Sequence, residues 1–77
     1  MRGPGRTRRY VVCLSNEGYR ASLEPRKIYP VTNDAEAEKA GFLRVTDESG
    51  EDYLFPRSLF ADITVSAEVA AALATAT

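Results

Sequence analysis

Until its last twelve residues this chain sustains no apolar pattern long enough for a packed helix. Before that, its apolar side chains fall into five short segments that read as strands, and each segment ends at a turn or breaker. Residues 9–14 (RYVVCL) are β-branched and aromatic and apolar on both faces, which fits a strand covered on both sides. Residues 27–32 (KIYPVT) form the second segment, where Pro30, lacking an amide proton, points to a sheet edge or a bulge. Residues 42–47 (FLRVTD) alternate, with Leu43 and Val45 on one face and Arg44 and Thr46 on the other. Residues 51–55 (EDYLF) set Leu54 against Tyr53 and Phe55, and residues 61–65 (ADITV) make the last strand.

The connectors differ in kind. A long loop from Ser15 to Arg26 holds one turn at Asn16-Glu17-Gly18 and another at Leu23-Glu24-Pro25-Arg26. Asn33 is positioned to cap a short helical turn, with Glu36 three residues on as in a capping box and Gly41 suited to the left-handed position that ends it. Ser49-Gly50 is a hairpin tip. After Pro56, residues 57–60 make a tight turn. From Ser66 the alanine-rich end SAEVAAALATAT has a good N-cap and strong helix formers, with Val69 and Leu73 spaced to lay one face on the sheet. Twelve residues hold a helix only if that face docks.

Strand, long irregular loop, strand, helical turn, strand, tight hairpin, strand, one-turn helix, strand: this order is the layout of a small five-stranded Src-homology-3-like barrel. The expected fold is therefore all-β, with a short helical turn between strands 2 and 3 and a possible C-terminal helix. Residues 1–8 are read as a flexible basic tail, 9–65 as a single barrel domain, and 66–77 as an alanine-rich helix or frayed tail. The expected core is Val11, Cys13, Leu23, Ile28, Leu43, Val45, Leu54 and Ile63, and truncating Leu43 or Leu54 to alanine is expected to unfold so small a domain.

Two runs, VVCLSNEGYRASLEPRKIYPV (11–31) and RVTDESGEDYLFPRSLF (44–60), resemble a family of small uncharacterised bacterial proteins. DESGEDYLFP is the most distinctive part. Pro25-Arg26 stands where similar sequences have a turn glycine. The resemblance implies a barrel fold and a bacterial cytoplasmic origin and carries no activity.

Charge and composition narrow the chemistry. The chain has no histidine, no tryptophan and one cysteine, so internal disulfides, Cys/His metal sites and histidine-based triads are excluded. No glycine-rich phosphate loop precedes a helix, and no serine has a histidine to activate it, so an enzyme is not expected and no cofactor is implied. Cys13, inside an apolar strand, reads as a buried, inert thiol of a reducing compartment. The carboxylates Asp47, Glu48, Glu51 and Asp52 flank the hairpin tip; their spacing matches no calcium loop, and they read as a solvated acidic turn. No segment is apolar for long enough to span a membrane as a helix, and no membrane partner is expected.

Residues 1–9 hold four of the ten basic residues and none of the eleven acids, so the rest carries six bases against eleven acids, a net charge of −5. Such a body does not attract phosphate backbones. The aromatic residues give the stronger lead. Tyr19 of the long loop, Tyr53, Phe55, Pro56 and Phe60, with Glu17 for polarity, are the expected contact surface for an unidentified protein or peptide, since flat rings and a proline seat extended chains at low entropic cost. The expected function is thus a non-catalytic binding or adaptor module of the cytoplasm, as a monomer or weak homodimer. The alternative is a nucleic-acid-associated accessory protein that contacts phosphates through Arg2, Arg6, Arg8 and Arg9.

Overall fold

The computed structural model describes residues 9–75. Five strands form one antiparallel sheet: β1 (Arg9–Cys13), β2 (Ile28–Thr32), β3 (Phe42–Thr46), β4 (Asp52–Pro56) and β5 (Phe60–Ile63). Two helices accompany them, α1 (Ala35–Lys39) and α2 (Ala67–Thr75), and a 3-10 turn, Arg57–Leu59, joins β4 to β5. The strand order is β4-β3-β2-β1-β5, so the last two strands of the chain lie at opposite edges.

That order dictates a curl. In a flat sheet the two edge strands would lie about 19 Å apart, four inter-strand spacings of ~4.8 Å. The chain from Pro56 to Phe60 takes four residue steps, at most ~14 Å fully extended. The sheet therefore bends until the Phe55 and Phe60 rings stand 6.3 Å apart across the interior. The edges approach but do not pair, and the sheet stays open.

Pro30 marks where the bend is relieved. β2 is an interior strand rather than an edge, which corrects the expectation from Pro30. Cys13 N–H donates to the Lys27 carbonyl, which by alternation turns the Tyr29 and Val31 backbone groups toward β1 and Pro30 toward β3. The β2–β3 ladder begins only at Val31, paired with Val45, and Thr32, paired with Arg44. The missing donor falls where these strands have already parted, so it costs no ladder bond.

Nine buried side chains form the core: Val11, Cys13, Leu23, Tyr29, Val31, Leu43, Val45, Phe55 and Phe60. Five of the eight expected core residues are among them. Leu54 is not; it lies on the outer face opposite Arg44 and is 43% exposed. Ile28 alternates out of the core beside Pro30, and Ile63 pairs with Tyr10 on the outer face. β1 is buried on both sides as its composition implied. Val11 and Cys13 point into the core, while Tyr10 on the other face is 5% exposed and donates its hydroxyl to the Ala70 carbonyl of α2 at 3.5 Å. α2 is capped by Ser66, whose Oγ accepts from Val69 N–H. Leu73 is half-buried, but Val69 is exposed.

The cap of α1 is Asp34, not Asn33. Its carboxylate accepts from Ala37 N–H at 3.1 Å and holds the Arg44 Nε at 2.9 Å. Asn33 instead receives Arg9. No capping box forms, because Ala37 rather than Glu36 occupies the third helical position. Gly41 closes the helix at φ +92°, as its position predicted.

Candidate functional site

The long loop, residues 14–27, is folded against the sheet by its own turns. Tyr19 N–H donates to the Asn16 carbonyl, and the amides of Ser22 and Leu23 donate back to the Tyr19 carbonyl. Leu23 is fully buried as the plug of the loop, and Asn16 Nδ2 donates to its carbonyl at 3.0 Å. This fixes the half-buried Tyr19 ring edge-on against Phe55, centroids 5.2 Å apart and planes at 80°. Phe55 in turn meets Phe60 edge-on. Two such contacts add ~0.5–1.5 kcal/mol each beyond burial.

The six residues expected to meet a partner separate by depth. Phe55 and Phe60 are 3% and 8% exposed, so they support the surface from beneath rather than present a face to it. Tyr53 is half exposed, and its hydroxyl donates to Glu51 at 2.8 Å, a contact that raises the phenol above its ordinary pKa. Glu17 is exposed, Tyr19 half-buried, and Pro56 half-buried opposite Phe42. Phe42, which the sequence reading passed over, is 38% exposed. The signal was present: alternation from Leu43 and Val45 puts an aromatic ring on the polar face of its strand.

The surface thus centres on β4. Tyr53 and Leu54 are neighbours in the chain and point to opposite faces, yet both are exposed. β4 is an edge strand, and the described residues leave both of its faces exposed at this point. The backbone adds to the opening. Asp47 N–H donates to the Glu51 carbonyl and Arg57 N–H to the Gly41 carbonyl, which sets the phase of the β3–β4 ladder. Tyr53 and Phe55 direct their backbone groups to β3, while Asp52, Leu54 and the Pro56 carbonyl point out of the sheet.

The hairpin acids are tied up one by one, and not all are solvated. Asp47 is 6% exposed; burial pushes its carboxyl up, but hydrogen bonds from the Ser49 hydroxyl (2.6 Å) and amide (2.8 Å) outweigh this and hold it below its ordinary value. Glu48 accepts from Lys27 and from the Tyr29 hydroxyl at 2.6 Å, and both contacts lower its pKa. Tyr29, which also accepts from Glu24 N–H at 2.8 Å, is raised well above its ordinary value, first by burial and then by Glu48. Glu48 N–H donates to the Ser22 carbonyl, so this network pins the long loop to the hairpin. Asp52 faces Arg44 at 3.5 Å. Among the described residues no group of three or more His, Cys, Asp or Glu side chains is arranged to hold a metal ion.

Of the four arginines in the basic arm, Arg2, Arg6 and Arg8 lie outside the described residues. Arg9 is already paired, with Glu38 at 2.7 Å and Asp62 at 3.6 Å. The Cys13 thiol is buried, donates to the Ser15 carbonyl at 3.3 Å, and is raised in pKa by that burial. Among the described residues no helix is long and apolar enough to cross a membrane. No family model matches the chain, and neither a curated protein nor a solved structure matches it.

Proposed function

We propose that this chain is a non-catalytic protein- or peptide-binding module of the bacterial cytoplasm, from the family of small barrel proteins that its sequence resembles. The observation that carries the reading is the pair Tyr53 and Leu54, both exposed on an edge strand. Tyr19, packed on Phe55, extends the Tyr53 side, Pro56 and its partner Phe42 extend the Leu54 side, Glu17 is exposed two residues before Tyr19, and the buried rings of Phe55 and Phe60 make the floor rigid. A rigid floor lowers the ordering cost of binding. Strand order, the long loop after β1 and the 3-10 turn before β5 support a Src-homology-3-like arrangement, with the curl of the sheet standing in for full closure.

The test is crosslinking capture from a bacterial lysate at low and high salt, using the wild-type chain, Tyr53→Ala and a deletion of residues 1–9. A protein retained at high salt and lost with Tyr53→Ala, at an unchanged thermal midpoint, is the expected result. Nucleic acid retained only at low salt and lost with the deletion would overturn the reading in favour of a phosphate-binding arm.

A further inference from the structure

The open edge of β4 has a property that singles out one occupant: it is complementary to itself. We propose that a second copy of this chain pairs with it, β4 against β4 in antiparallel register with Leu54 opposite Leu54, extending the sheet across a two-fold axis. This rests on the reading of β4 as the contact surface and names its occupant.

The register follows from what faces outward. The backbone groups of Asp52 and Leu54 and the Pro56 carbonyl point out of the sheet, so pairing must match these positions with one another. With Leu54 at the centre, the two Leu54 residues exchange a reciprocal pair of hydrogen bonds. Each Asp52 N–H meets the Pro56 carbonyl of the second copy, and the missing Pro56 N–H is the only gap on each side. Side chains then match in kind. Exposed Leu54 meets exposed Leu54, Tyr53 falls opposite the position of the buried Phe55, and Glu51 falls opposite Arg57 twice, once on each side of the axis. Glu51, just before β4, and Arg57, the first residue of the 3-10 turn after it, are both exposed; among the described residues neither is in an ion pair, and opposite charges brought together at the two ends of the paired strands favour association. Sliding one copy by two residues loses this match. It sets Glu51 against Phe55 and Asp52 against Leu54, or moves Leu54 opposite Pro56 and draws the 3-10 turn into the ladder. An isologous contact of this kind closes as a dimer and leaves no further β4 edge.

One five-residue strand per copy makes a small interface, so the dimer is weak, with a Kd on the order of 10⁻⁴ M. Sedimentation equilibrium over a concentration series, on the full chain, reads it directly. Arg57→Glu or Glu51→Arg alone should weaken association about tenfold. The double variant Glu51→Arg with Arg57→Glu should restore it, with thermal midpoints of all three close to that of the wild type. A chain that stays monomeric into the millimolar range overturns the proposal. A dimer indifferent to both single reversals overturns it as well, because its contact lies elsewhere. A monomer that still captures a different protein through Tyr53 would end this inference and leave the binding reading standing.

Discussion

Leu54 and Leu43 lie one strand apart and differ only in the face they occupy, and their fates on truncation should differ accordingly. Leu43 is 2% exposed in the core, so Leu43→Ala should cost ~2–5 kcal/mol and bring so small a domain close to unfolding. Leu54, 43% exposed beside Arg44, should lose less than ~1 kcal/mol. Urea midpoints of the two variants check this. Arg26 gives a second residue-scale prediction. It takes φ +71°, a left-handed conformation that a side chain disfavours by roughly 1 kcal/mol, and its N–H donates to the Cys13 carbonyl at 2.7 Å. Arg26→Gly should therefore raise stability by less than ~1 kcal/mol, because glycine's extra freedom in the unfolded chain offsets part of the relief, read as a higher urea midpoint with unchanged slope. At this scale alternation made Leu43, Val45 and the Tyr53/Phe55 face legible. It could not say which face of β4 was covered, because that depends on a neighbour distant in sequence.

Between elements, the main tie is the Lys27–Glu48–Tyr29 network that holds the long loop to the hairpin. With the ties of Asp34 and Glu38, it gives the pH dependence of stability two flanks. Glu48, Asp34 and Glu38 are carboxyls held below their ordinary values by Lys27, by the Ala37 amide with Arg44, and by Arg9 respectively. A lowered folded pKa gives stability that is complete above the unfolded value and lost on acidification, so unfolding should become easier below about pH 4. Tyr29 is raised, so its contribution is complete below its unfolded value of ~10 and declines as pH rises beyond it. Tyr29→Phe should cost ~1–2 kcal/mol at pH 7, by leaving the Glu24 amide and Glu48 short of a partner, and should flatten the alkaline flank. Urea melts at pH 7 and pH 10.5 read both effects. The strands and the connector types were legible because short β-branched runs and turn residues act locally. The network was not, since Tyr29 and Glu48 are 19 residues apart and meet only once the sheet curls. The Asn33 cap failed for a nearby reason: Asp34 offers a carboxylate to both Ala37 and Arg44, and Asn33 offers neither contact.

For the whole molecule, a three-residue connection between opposite edges forces a curled sheet, and that curl puts Phe55 on Phe60 while leaving the outer rim of β4 bare. The element order carried this topology, but an order of elements cannot report whether edges that approach also pair. The proposed protein binding and the proposed self-association both depend on that rim staying open. Amide hydrogen exchange at low micromolar protein, where a weak dimer is dissociated, measures it residue by residue. Tyr53 and Phe55, bonded to β3, should be protected by about a hundredfold or more, and the intervening Leu54, with Asp52, should exchange close to the unprotected rate. A Leu54 amide as slow as that of Phe55 would mean that the β4 edge is covered within the monomer, and would contradict the account.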